Sequence, residues 1–152
     1  DLNTGVNISK LKKQIKNEYI SNVSILNAVP KNQVIHYLSI LDVAIINLKK
    51  SELFKTVIPS KIFETAAMEV PILIGVDGEA RSIIEHYHAG LFYEPENERD
   101  FILKAERLIR DEKLVNACKS GCKKLAHDYN RTNLASIMHL IVKEIFNENL
   151  NE

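Results

Sequence analysis

The stretch Ile58-Pro59-Ser60-Lys61-Ile62-Phe63-Glu64-Thr65-Ala66-Ala67-Met68-Glu69-Val70-Pro71 decides how the rest of this 152-residue chain is read. Pro59 has a fixed φ and no N–H, both suited to a first helical turn, and Ser60 is a capping residue type, so a helix is predicted to start here. Pro71 closes it. Ile62, Phe63, Ala66, Ala67 and Val70 recur at helical spacing as one apolar stripe, while Lys61, Glu64 and Met68 share a different face. The N–H groups of Ser60, Lys61 and Ile62 then stand free at the positive end of the helix dipole, where a phosphate is favoured. One turn further in, Glu64 is placed to accept hydrogen bonds from two vicinal hydroxyls such as those of a ribose. The plainer alternative is an exposed glutamate paired with Lys61 at i,i+3, a surface contact of about 0.2–0.5 kcal/mol.

Outward from this helix, short apolar runs alternate with helical patterns. Val43–Leu48 before it and Ile72–Val76 after it are apolar on both faces, as buried parallel strands are. Asp77-Gly78 turns into a helix from Glu79 to Tyr87, Ala89-Gly90 ends that helix, and Leu91-Phe92-Tyr93 is a further strand. Upstream, a helix is predicted over Ser9–Tyr19, a strand over Val23–Asn27 stopped by Pro30, and a helix from Asn32 through Leu41 with Val34, Ile35, Leu38 and Leu41 inward. Downstream the pattern is helical: Asn97 to Arg110, Leu114 to Tyr129, and a last helix capped by Thr132 or Asn133 with Leu134, Ile137, Met138, Ile141, Val142 and Ile145 on one apolar face. The tail from Asn147 is expected to fray. The alternation predicts a doubly wound α/β domain with a parallel sheet and a ligand at the C-terminal ends of the strands. The loops expected there, Asn27 to Lys31, Leu48 to Ser60 and Val76 to Ala80, converge on the start of the central helix and add Val29, Pro30, Thr56 and Glu79 to the candidates.

The composition narrows the chemistry. A chain that is 45% hydrophobic and 26% charged suits one folded domain. Twenty basic and twenty acidic residues leave no net field, which argues against nucleic acid as the partner. No apolar run reaches the roughly 18 residues of a membrane span and no secretion signal opens the chain, so the cytoplasm is the expected compartment. The absence of a starting Met before Asp1 suggests a piece of something longer. Cys118 and Cys122, with His127 and Asp128 nearby, are either half of a zinc site or two ordinary helix thiols; the second reading is adopted, and no metal is expected. His36, His86, His88, His127 and His139 form no recognisable pair with a Ser or Cys nucleophile, so no catalytic residue is assigned. Lys49, Lys50, Lys55 and Arg81 read as surface charges around the mouth of the site.

The run Glu64-Thr65-Ala66-Ala67-Met68-Glu69-Val70-Pro71-Ile72-Leu73 resembles the nucleotide-sugar signature of retaining family-4 glycosyltransferases. The form Pro59-Ser60-Lys61-Ile62-Phe63-Glu64, with Gly78-Glu79-Ala80 after the next strand, is similar to the subgroup that includes bacterial N-acetyl-fucosamine and other amino-sugar transferases of O-antigen or capsule synthesis. The resemblance implies a Rossmann-like second domain of a GT-B enzyme, with residues 1–152 its nucleotide-sugar-binding part, lacking the first strand-helix-strand and the acceptor-binding N-terminal domain. It implies a UDP-sugar donor, an amino- or deoxy-sugar, transferred with retention to a lipid-linked saccharide held by the missing domain, at the inner face of the membrane with peripheral association and no metal cofactor. Glu64 would hold the ribose; Ser60, Lys61, Ile62, Val29 and Pro30 would hold the rest of the nucleotide; Thr56 and Glu79 would face the sugar. One position departs from the signature: its first glutamate is replaced here by Thr56. The chain alone is expected to fold without catalysing transfer, and the alternative is a stand-alone nucleotide-binding or assembly module.

Overall fold

Three of the apolar runs pair side by side as parallel strands in the computed structural model, which describes residues 6–148. They are β1 (Ala44–Asn47), β2 (Ile72–Gly75) and β3 (Gly90–Phe92), in the order β1-β2-β3. The helices in chain order are α1 (Val6–Asn17), α2 (Lys31–Leu38), α3 (Lys61–Ala67), α4 (Glu79–Tyr87), α5 (Glu98–Arg110), α6 (Glu112–Asp128) and α7 (Arg131–Glu148). The chain divides into two units, Asp1–Val34 and Ile35–Glu152, and the second contains the sheet. That unit is a Rossmann-like α/β fold: a parallel sheet with helices against both faces.

The register aligns Ile45 with Leu73 and Leu91, and Ile46 with Ile74 and Phe92. Because side chains alternate along a strand, this sorts the apolar residues into two cores. On one face Ile46, Ile72 and Ile74 meet Ile62 and Ala66 of α3, Ala80 and Ile84 of α4, and Cys122 and Leu125 of α6. On the other, Leu73 meets Tyr93, Leu108 of α5 and Cys118 of α6, with Phe101 and Leu114 at the rim. Each buried Ile or Leu contributes about 1.5–3 kcal/mol, so β2, buried along its whole length, anchors both layers. α6 contributes to both cores, and Cys122 Sγ lies 3.2 Å from the carbonyl oxygens of both Val70 and Ala89. With one proton, the thiol donates to one of them at a time. The α6 helix approaches so closely because Gly121 has no side chain: a Cβ there would fall 2.3 Å from the Tyr87 carbonyl oxygen.

Several expectations are corrected. Val23–Asn27 is not a strand: its backbone belongs to the Asp1–Val34 unit, which offers no strand among the described residues, and an apolar run becomes a strand only when another backbone pairs with it. The α2 helix ends at Leu38 and has no buried residue, so Ile35 and Leu41 point outward rather than inward. The α3 helix ends at Ala67, before Pro71: the Met68, Glu69 and Val70 amides turn back onto the Thr65 and Ala66 carbonyls, with Glu69 at φ 55°. On α3 the buried residues are Ile62, Thr65 and Ala66, while Ala67 is exposed. Asn130, not Thr132 or Asn133, accepts the cap hydrogen bond ahead of α7, from the Thr132 N–H at 2.9 Å. The apolar residues of α7 are on the surface, Ile137 at 52% and Met138 at 68% exposure. The tail beyond Glu148 lies outside the described residues.

Candidate functional site

The loops leaving the C-terminal ends of β1, β2 and β3 enclose a cleft of about 440 Å³. Its walls come from the β1–α3 loop (Lys49, Lys50, Ser51, Lys55), the β2–α4 turn (Val76, Asp77) and the β3–α5 loop (Glu94, Pro95). The first of these is ordered where the sequence suggested only a polar loop. Glu52–Thr56 forms a 3₁₀ turn, capped by the Ser51 side chain, which accepts from the Leu53 N–H at 3.3 Å. The Thr56 hydroxyl donates to the Leu53 carbonyl at 3.2 Å, which commits its proton and leaves its lone pairs to accept from a ligand.

Several charges around the cleft are matched within the protein. Lys50 Nζ meets Glu94 at 2.6 Å, and the Lys50 amide donates to Glu96 at 3.4 Å, tying the β1–α3 loop to the β3–α5 loop. The Glu94 hydrogen bond raises the Lys50 pKa above its usual value. Lys55 pairs with Glu52 at 2.8 Å. Arg81 bridges Asp77 at 3.5 Å and Glu85 at 2.9 Å and lies 4.1 Å above the Phe92 ring. A hydrogen bond from the Gly78 N–H, with the Arg81 charge in support, holds the Asp77 carboxyl below its usual range. These residues, read from sequence as ordinary surface charges, brace the loops. No local pattern announces the Lys50–Glu94 pair, whose members are 44 positions apart, whereas the Lys55 and Arg81 pairs are at i,i+3 and i,i+4 spacing.

The α3 helix carries the other candidates, and neither they nor Thr56 and Glu79 are among the residues that line the cleft. With Ile62 and Ala66 fully buried against the sheet, Glu64 falls on the exposed face. Among the described residues it makes no ion pair with Lys61, so the plainer pairing is absent. Ser60 does not cap through its side chain; it already has helical backbone angles, and its carbonyl accepts from the Phe63 and Glu64 amides at 3.1 and 3.4 Å. The Ile62 amide donates to the Pro59 carbonyl at 3.0 Å, so it is not one of the free amides. The cause is the proline, whose fixed φ starts the turn one residue earlier. Among the described residues no backbone carbonyl takes the Ser60 or Lys61 N–H. Glu79 opens α4, exposed, directly after Gly78. Val29 and Pro30 belong to the Asp1–Val34 unit.

Cys118 and Cys122 lie in the cores, away from these loops, and burial raises both pKa values, Cys122 to about 12. Among the described residues no cluster of three His, Cys, Asp or Glu side chains could hold a metal ion, and no helix is long and apolar enough to cross a membrane. The sequence profile of the family described as Glycosyl transferases group 1 matches residues 5–125, which include β1 to β3 and every wall of the cleft. No curated protein matches the chain.

Proposed function

The chain belongs to the group 1 glycosyl transferases, whose donors are nucleotide sugars, and we propose that it supplies the donor-binding part of a transferase that uses a UDP-sugar. In this reading the Ser60 and Lys61 amides meet the diphosphate and Glu64 accepts both ribose hydroxyls. Thr56 and Glu79 face the sugar. The observation that carries the reading is the state of Glu64: an exposed carboxylate without an ion-pair partner among the described residues, one helical turn beyond two unengaged amides. The form Pro59-Ser60-Lys61-Ile62-Phe63-Glu64 supports an amino- or deoxy-sugar and a lipid-linked saccharide acceptor at the cytoplasmic face of a membrane. Transfer proceeds with retention of configuration, the protein holding the leaving diphosphate while the acceptor approaches the same sugar face. The chemistry is mostly positioning, so an acceptor held in line with the donor is required for turnover.

Calorimetric titration with UDP tests the assignment. Glu64→Gln keeps the fold, since the side chain is off the buried face, and weakens UDP binding about tenfold to a hundredfold, the value of hydrogen bonds to a charged group. Glu69→Gln, on the same segment, leaves the affinity unchanged. Equal UDP affinity in the wild-type chain and Glu64→Gln would sink the ribose assignment.

A further inference from the structure

Gly78 is held through its carbonyl, which accepts from the Ser82 N–H at 2.9 Å and the Ser82 hydroxyl at 3.1 Å. Against its Cα rests the backbone of Lys55: a Cβ at position 78 would fall 2.1 Å from the Lys55 carbonyl oxygen and 2.7 Å from Lys55 Cα. With φ +80° and ψ −134°, the residue is in a region open in practice to glycine alone. The last turn of the 3₁₀ segment thus packs backbone to backbone on the β2–α4 turn. The next residue after Lys55 is Thr56, and the next after Gly78 is Glu79. Two side chains 23 positions apart therefore flank one contact whose closeness depends on the missing Cβ.

We infer that Gly78 is a positioning residue for the sugar end of the donor site: by letting the Lys55 backbone settle on its Cα, it sets Thr56 against Glu79, while α3 sets the nucleotide end independently. This rests on the donor-site reading above. It separates two functions within one site. The nucleotide grip is built by one helix, whereas the sugar contacts depend on how two loops meet. Because the contact is between backbones, the side chain of Lys55 is not what fixes it.

The experiment compares UDP, UDP-glucose, UDP-N-acetylglucosamine and UDP-N-acetylgalactosamine on the full chain and on Gly78→Ala, by calorimetry, with circular dichroism as the check of folding. The wild-type chain is expected to separate the three UDP-sugars by about fivefold or more, the worth of one or two sugar hydrogen bonds. In Gly78→Ala the spread collapses towards one while UDP itself stays within about twofold, since no contact to the nucleotide changes. Where Gly78→Ala does not fold, Thr56→Val, Glu79→Gln and their double variant give the answer. If both groups grip one sugar, their effects on the favoured UDP-sugar are non-additive by about threefold or more. Failure of the wild-type chain to bind UDP would remove the donor reading and this inference together. UDP binding with no sugar discrimination, equal loss of UDP and UDP-sugars in Gly78→Ala, or additive effects at Thr56 and Glu79 would overturn this inference alone.

Discussion

Glu69 follows α3 at a φ of 55°, where an L side chain crowds the following carbonyl at a cost of about 1–2 kcal/mol. Its ion pair to Lys123 at 3.8 Å joins two exposed side chains and contributes little. Glycine relieves the crowding but loses more conformational freedom on folding, which offsets part of the gain. Glu69→Gly is therefore expected to raise the unfolding free energy by about 0.5–1 kcal/mol, read as a higher urea midpoint at unchanged slope. A lower midpoint would mean that the glutamate side chain holds the α3–β2 turn. The candidate site residue of this segment, Glu64, was open to the opposite kind of reading. Glu64 declared itself through spacing, because a helix has a fixed period and its apolar stripe tells which side chains are left over. The strain at Glu69 left no such trace, since nothing in Met-Glu-Val-Pro marks which residue takes the left-handed turn.

At the scale of elements, the α4–α6 packing weighs two effects of one substitution against each other. Gly121 lies inside α6, where alanine would gain about 1 kcal/mol of helix propensity. The added Cβ, however, would fall 2.3 Å from the Tyr87 carbonyl oxygen and 2.6 Å from that of His88, both backbone atoms of the turn that ends α4. Backbone cannot rotate away as a side chain can, so the collision is met by moving α6 outward from Cys122 and Leu125, at about 1–3 kcal/mol. The collision outweighs the propensity, and Gly121→Ala is expected to lower thermal stability; an increase in melting temperature would show that the helices separate freely. The sequence marked α6 as a helix, and Gly121 lies within it. Why a glycine should be there appears only when α4 is laid beside it, and the same holds for Gly78 beneath Lys55.

For the whole molecule the informative variable is alkaline pH. Burial raises the Cys122 thiol from 9.0 to about 12. Between those values the unfolded chain loses a proton that the folded chain keeps. The contribution is thus fully present below pH 9.0 and declines as pH rises towards 12, by about 1.4 kcal/mol per pH unit. The Tyr93 phenol, also raised by burial, adds the same sign above its ordinary value of 10.0. Urea unfolding from pH 8 to pH 11 should show the fall, and Cys122→Ala should make it shallower; a slope unchanged by that substitution would assign the fall to other groups. By itself the sequence determined the α/β class, the three strands of the sheet, the helices that cover it, the family and the face carrying Glu64, because each follows from a short-range period or a contiguous motif. Tertiary structure alone decided that Val23–Asn27 is not a strand, that the α7 apolar residues lie on the surface, that Lys50 ties to Glu94 and that the Lys55 backbone lies against Gly78. These depend on which distant backbone comes alongside. A local pattern carries the tendency to pair or be buried; only the folded chain supplies the partner.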